Sequence, residues 1–434
     1  MKFVILFVSL VIFQIQTVES SSSAVPAPEN PIYAREQIFL SPFKTYTGST
    51  SALTCGQLIV YHGFQYEVHQ VITEDGYILE LYRIINPDAR DAFGDKLVPV
   101  LLVHGVLESC GSWLINSNNQ DGPLINVTSN NLAVVLATRG FDVWLANNRG
   151  TSYSRKHIHL NSYTDSSFWN FSFVDLGRYD APAMIYHIIN VTNYEKIVWI
   201  GYSTGATQML CKLSEDPSFA DNLSLIISIS PVAFNNNPPG VLGALSRSRA
   251  LNLLLGRYVG PIPQFLPETN AMLTLFAFIF PPIFEEINNY IFGPDRQMID
   301  NHHYPAFESV IDTTSAKLLL HYIQAFRLGQ LRYYDNGDDE NLALYGSKYP
   351  PKINFQNVPT KRLILMTGIN DFLAKPKNIQ RLRNILKGKP LIDHIINYPR
   401  WNHIDIIIGE KAFEYTHLPI VGFIRKYVGT EFTN

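Results

Sequence analysis

The sequence predicts an α/β domain: a mostly parallel β-sheet with helices on both faces, interrupted by a helical cap insertion. Three observations predict it. Short, wholly apolar runs such as VPVLLV and IVWIG have the composition of strands buried on both faces. These runs alternate with capped helical patterns, the rhythm of a parallel sheet built from βαβ units. The rhythm stops between about residues 234 and 357 and then resumes, which marks an insertion into one sheet rather than a second domain.

Taken in order, residues 1–20 place Lys2 before an apolar stretch from Phe3 to Ile15, followed by polar residues and the small Ser20. That is the pattern of a secretory signal, and it is shorter than the roughly 20 residues a membrane-spanning helix needs. Residues 21–60 form a Ser/Pro-rich lead-in, expected to be extended, with regular structure starting near Tyr66. The core then runs from 61 to 233. YEVHQVITEDGYILELYRI alternates polar and apolar residues about Glu74-Asp75-Gly76 and predicts a β-hairpin. VPVLLVHG is a strand, NLAVVLATRG a helix closed by Gly140, and FDVWLA a strand. DAPAMIYHIINV is a helix with Pro182 in its first turn. KIVWIG, TGATQMLCKL and LSLIISIS follow as strand, helix and strand. After the insertion the core resumes over 358–434 with the strand KRLILMTG, a helix from Pro376, the strand IDHIINYP and a terminal helix.

The formal charge is −3 and no long Lys or Arg run occurs, so nucleic acid is not an expected partner. Three cysteines, Cys55, Cys110 and Cys211, leave at least one thiol unpaired within the chain, so disulfides are not the scaffold. Cys211 lies in an apolar helical pattern and is read as an inert core residue. No Cys and His cluster has metal-ligand spacing, and no metal is expected. Four sequons, at Asn126, Asn170, Asn190 and Asn222, agree with a secreted chain.

The chemistry is carried by Gly201-Tyr202-Ser203-Thr204-Gly205, set between a buried strand and a helix. In that context the motif is a nucleophile elbow, which lifts a serine hydroxyl above the sheet at the positive end of a helix. A serine hydroxyl needs a base, and the base needs an orienting acid. On the α/β-hydrolase fold the chain order is Ser, acid, His, with acid and base on loops after later strands. Asp371 follows the strand LILMTG, and His403 follows the strand ending IINYP. Asp393 and His394 fall at a strand start and so at the wrong edge, while Asp405 sits where the chain is leaving the site. Asp371 could also serve as a cap for the helix from Pro376. The oxyanion needs two backbone donors, for which the N–H groups of Thr204 and Val106 are the candidates. His104, just before Gly105, is read as a structural hydrogen-bonder.

The insertion contains AMLTLFAFIFPPIFEEINNYIFG, dense in Leu, Ile and Phe and too broken to span a membrane. Most of these side chains should be cap core. A cap this apolar suits acyl chains better than sugars or peptides. The run from Met272 to Phe284 is expected to cover the acyl site and to shift at a lipid surface.

The chain resembles the animal acid lipases, a family that includes gastric, lysosomal and insect lipases. The resemblance runs from about Tyr66 to the end and rests on several segments in register. They are YEVHQVITEDGYILELYRI, LLVHG, FDVWLANNRGTSYSRKH, FWNFSFVDLGRYDAPAMI, IGYSTG, TGINDFLAKP and WNHIDIIIG. It implies an α/β-hydrolase core with a mobile cap, no cofactor, and hydrolysis of triacylglycerol or steryl esters at a lipid–water interface. By position it implies Ser203 as nucleophile, Asp371 as acid and His403 as base, with oxyanion donors at Val106 and Thr204. The family's elbow usually reads Gly-His-Ser-Gln-Gly, so Tyr202 and Thr204 depart from it. The cap disulfide of some vertebrate members cannot form, because the insertion holds no cysteine. The expected protein is a secreted serine lipase, with a lysosomal destination as the variant. The alternatives are an esterase for short soluble esters and a non-catalytic, yolk-type lipid-binding protein on the same fold.

Overall fold

The computed structural model describes residues 53–94, 96–116, 129–235, 243, 245–257, 260, 281–295 and 310–429. The signal segment, nearly all of the lead-in and Asn126 lie outside the described residues. So does the apolar run from Met272, apart from the helical backbone of its last four residues.

The chain enters through helix α1 (Cys55–Tyr61) and forms a hairpin of strands β1 (Gln65–Ile72) and β2 (Tyr77–Ile85). Helix α2 (Pro87–Phe93), strand β3 (Val98–Val103), helix α3 (Leu132–Thr138), strand β4 (Phe141–Leu145) and the short strand β5 (Lys156–His157) follow. Helix α4 (Ala181–Thr192), strand β6 (Ile197–Tyr202), helix α5 (Thr204–Glu215) and strand β7 (Leu223–Ile229) complete the first part. The chain then leaves the sheet through helices α6 (Arg249–Leu255), α7 (Pro281–Phe292), α8 (Ala316–Leu328) and α9 (Asp338–Tyr345). It returns through strand β8 (Leu363–Thr367), helix α10 (Pro376–Ile385), strand β9 (Ile392–Ile395) and helices α11 (Asp405–Ile408) and α12 (Leu418–Ile424).

Among the described residues the sheet has nine strands in the order β1-β2-β4-β3-β6-β7-β8-β9, with β5 paired to β2. The β1/β2 hairpin pairs antiparallel around Gly76, whose φ of +94° suits a residue without a Cβ. From β4 to β9 every neighbouring pair is parallel. Alternation along these strands sends side chains to two cores. Val100, Leu102, Val198, Ile200 and Ile364 pack with α1, α3, α11 and α12 on one face. Leu101, Val103, Trp199, Ile226 and Leu365 pack with α4, α5 and α8 on the other. Each Ile, Leu or Val buried in this way contributes about 1.5–3 kcal/mol, which makes the sheet a stiff platform.

The strand order also locates the crevice. β3 lies between β4, which follows it in sequence, and β6, so the winding direction reverses at β3. In open α/β sheets the loops at such a reversal part, and ligands bind at the carboxyl ends of those strands. Here those ends carry the His104–Glu108 loop and Ser203.

Two expectations need correction. Regular structure begins at Cys55 rather than near Tyr66, because Thr54 and Gln57 form a reciprocal capping box. Leu58 and Ile59 of α1 are buried, and Cys55 is bonded to Cys110, so the end of the lead-in belongs to the core. One disulfide therefore ties the first helix to the turn below the β3 loop, while Cys211 is free and buried as read. Strand β9 also stops at Ile395, short of Pro399. Pro399 has no N–H for a ladder, and the Tyr398 N–H turns back to the Ile396 carbonyl at 2.9 Å. Among the described residues no helix is long and apolar enough to cross a membrane.

Candidate active site

The elbow is built by close backbone approach. A Cβ on Gly201 would meet the Gly205 carbonyl oxygen at 2.4 Å, and one on Gly205 would meet the Val103 carbonyl oxygen at 2.4 Å. Only glycine lets β6, α5 and β3 converge there. Ser203, between the two glycines, has φ +51° and ψ −109°, a conformation side-chain-bearing residues rarely adopt. The strain is held by the Ser203 N–H donating to the Ile229 carbonyl at 2.9 Å and by the Thr207 hydroxyl donating to the Ser203 carbonyl at 3.0 Å.

The structure brings Ser203, His403 and Asp371 together from three loops. His403 Nε2 lies 2.9 Å from Ser203 Oγ, and His403 Nδ1 lies 2.8 Å from Asp371 Oδ2. A carboxylate only accepts, so Nδ1 carries the hydrogen and Nε2 is free to accept from the serine hydroxyl. Exposures of 4, 1 and 2% for Ser203, Asp371 and His403 put the relay out of bulk water, where charge interactions are strongest. Asp371 does not cap α10, whose N-cap is Lys375. Its Oδ1 accepts the N–H groups of Leu373 and Ala374 at 2.9 and 2.7 Å, which fixes the carboxylate plane. Asp393 pairs with Arg383, and His394 packs on Phe423. Asp405 accepts the Asn402 N–H at 2.6 Å, and burial, reinforced by Asp295 and Asp371, pushes its carboxyl well above the usual range.

The two candidate oxyanion donors line one small pocket at the carboxyl ends of β3 and β6. Thr204 is the first residue of α5, so its N–H has no partner in a preceding turn. Val106 lies in a loop governed by His104. The Asn148 N–H donates to His104 Nε2 at 3.2 Å, so Nδ1 carries the hydrogen and donates to the Gly105 carbonyl at 2.7 Å. Burial lowers the His104 pKa to about 4, which keeps that arrangement neutral.

Four features of the site were not legible in the sequence. The Tyr202 hydroxyl donates to the His403 carbonyl at 3.0 Å, with its ring between Trp113 and the imidazole. Thr204 Oγ1 lies 3.1 Å from the Tyr322 hydroxyl on α8. The end of α7 threads between the acid and base loops: the Phe372 N–H donates to the Phe292 carbonyl at 3.1 Å, and Asn402 Nδ2 donates to the Gly293 carbonyl at 2.9 Å. Glu108, also buried, accepts the Gly105 N–H at 3.1 Å. Their signals, a phenol, a hydroxyl, an apolar helix end and an acid in a loop, gain meaning only from long-range placement. Among the described residues no cluster of three His, Cys, Asp or Glu is arranged to hold a metal.

Fold, strained elbow and buried Ser–His–Asp contact define an α/β-hydrolase. The partial α/β-hydrolase lipase region matches residues 55–117, and the α/β-hydrolase fold matches residues 98–261. The chain is similar to human lipase member K, at 31% identity over 87% of this chain and 92% of that one. It is similar to human lysosomal acid lipase/cholesteryl ester hydrolase, at 30% identity over 86% of this chain and 91% of that one. A putative lipase from Sulfolobus solfataricus shares the fold, with a TM-score of 0.50 at 15% identity over 83% of this chain and 99% of that one. The chain belongs to the acid lipase family of α/β-hydrolases and is a carboxylic ester hydrolase.

Proposed function

We propose that the protein is a secreted lipase that cleaves neutral lipid esters, triacylglycerol or steryl ester, through an acyl-enzyme on Ser203. The observation that carries the reading is the hydrogen-bonded chain from Ser203 through His403 to Asp371 on a strained elbow. His403 Nε2 takes the serine proton as Oγ attacks the ester carbonyl. The carbonyl π electrons move to oxygen, and the oxyanion is held by the N–H groups of Val106 and Thr204. Asp371 keeps the imidazole in the accepting tautomer and stabilises the imidazolium. The imidazolium then protonates the leaving alcohol. Water, deprotonated by the same nitrogen, attacks the acyl-enzyme, releasing a fatty acid and restoring Ser203.

A lipid substrate is supported by the apolar composition of the insertion and by relatives whose names read lipase and cholesteryl ester hydrolase. Secretion is supported by the leader-like residues 1–20 and the sequons. Asn170 and Asn190 are exposed, Asn222 is half-buried with Nδ2 on the Phe219 carbonyl, and Asn170 Oδ1 accepts from Lys317 Nζ. Removal of N-glycans from protein collected outside expressing cells should lower its mass at one or more of Asn126, Asn170, Asn190 and Asn222. The central test compares triolein and cholesteryl oleate emulsions with a dissolved short-chain ester. Turnover of the emulsions at least matching the soluble ester, abolished in a folded Ser203→Ala variant, is expected. Turnover of the soluble ester alone would make the protein an esterase, and full activity in Ser203→Ala would remove the nucleophile assignment.

A further inference from the structure

We propose that Glu108 is a positioning residue for the oxyanion hole, its buried carboxyl gripping the Gly105 N–H and thereby fixing the peptide that presents the Val106 N–H. The proposal rests on the roles of Ser203 and Val106 given above. In a trans peptide the C=O and N–H point in opposite directions. The Gly105 carbonyl accepts from His104 Nδ1, so the Val106 N–H of the same peptide points the opposite way, and Val106 and Thr204 line one pocket. That orientation needs restraint on both sides of Gly105. Glycine imposes none of its own, and Leu107 two residues on is held at φ +60°, a conformation that costs a branched side chain about 1–2 kcal/mol. On the far side the Asp312 N–H holds the Leu107 carbonyl at 2.8 Å. On the near side Glu108 Oε2 holds the Gly105 N–H at 3.1 Å.

The carboxyl is itself wedged. A Cβ on Gly105 would meet Glu108 Oε1 and the Tyr202 ring at 3.0 Å each, so the glycine lets the acid pack closely against the loop. Enclosing a carboxyl costs free energy that an apolar side chain would not incur, and nothing in packing alone requires an acid here. The groups facing it are the Gly105 N–H, the Ser112 hydroxyl, the Tyr202 phenol and the His403 imidazole. Burial raises its pKa to about 7 against the opposing pull of Gly105, Ser112 and His403. A charged acceptor bonds more strongly to an N–H than a neutral one, so the grip tightens as pH rises through that value.

The test uses the full chain, p-nitrophenyl butyrate, and thermal melting as the check of folding. Glu108→Ala is expected to lower kcat about 10–100-fold with KM within about twofold, a large part of the cost of losing one oxyanion donor. Glu108→Gln keeps an acceptor oxygen for Gly105. It should recover at least about tenfold of that loss, because the amide oxygen still accepts from the Gly105 N–H. Labelling of Ser203 by a fluorophosphonate, read by mass spectrometry, is run in parallel. Wild-type protein that is not labelled at Ser203 would overturn the nucleophile assignment. Labelling together with an unaltered kcat in Glu108→Ala, or a loss confined to KM, would overturn the positioning role alone. If the alanine variant does not fold, a folded Glu108→Leu variant with wild-type kcat overturns it equally, because it fills the space without an acceptor.

Discussion

Tyr202 stands where the family's elbow carries histidine, and its hydroxyl reaches across the site to the His403 carbonyl. Phenylalanine would keep the ring between Trp113 and the imidazole but leave a buried carbonyl without its donor, at about 1–3 kcal/mol. Tyr202→Phe is therefore expected to lower kcat/KM on a soluble ester about five- to tenfold by loosening the base. A lowered melting temperature with unchanged kinetics would make the contact purely structural. Asp371→Ala and His403→Ala should each remove most activity, and the double variant should be little worse than either, because relay members act as a unit. Multiplying losses would place one of them in the scaffold. Ser203, Asp371 and His403 were legible because each follows an apolar strand with a local motif. Glu108 was not, although Gly105 is three residues away, because Leu107 takes a left-handed conformation that no residue pattern announces.

At the scale of elements, the apolar runs predicted strands and helices well, since strands buried on both faces leave a continuous signal. Strand order was not legible: β3 lies between β4 and β6 through contacts that no local pattern encodes. Helix α1 was missed because its Thr54 and Gln57 capping box lies just after a Ser/Pro-rich lead-in. Its bond to Cys110 spans 55 residues, a loop whose closure is worth about 4 kcal/mol in the chain-entropy account. Replacing both cysteines by serine should lower the melting temperature by several degrees under non-reducing conditions, and reductant should have no further effect on that variant. An unchanged melt would show that α1 is held by Leu58 and Ile59 alone.

The whole molecule carries opposing titrations in its interior. Burial lowers the pKa values of His104, His321 and His417 to about 4, 3 and 4, below the ordinary 6.5. For such groups stability is fully present above the unfolded value and is lost as pH falls through the folded one. Burial raises Glu108 to about 7, so its contribution is present below the unfolded carboxyl range and lost as pH rises through that value. Both slopes fall between roughly pH 4 and 7 and oppose each other. His417, whose Nε2 meets the Asn130 carbonyl at 2.8 Å, is remote in sequence from the elbow and isolates one side of this balance. His417→Gln should lower the melting temperature at pH 7 but make its decline from pH 6.5 to 4 shallower by a few degrees. A decline as steep as wild type would assign the acid sensitivity elsewhere.

The relay spans 200 residues between Ser203 and His403 and closes only with the last part of the sheet. During biosynthesis this spacing acts as a clock. At about 5–20 residues per second, a ribosome needs roughly 10–40 s to travel from the elbow to the base. Throughout that interval the Ser203 hydroxyl is without the imidazole it meets in the folded chain. A product truncated anywhere before His403 likewise lacks the imidazole that meets Ser203 Oγ, even where strands β1 to β9 are all present.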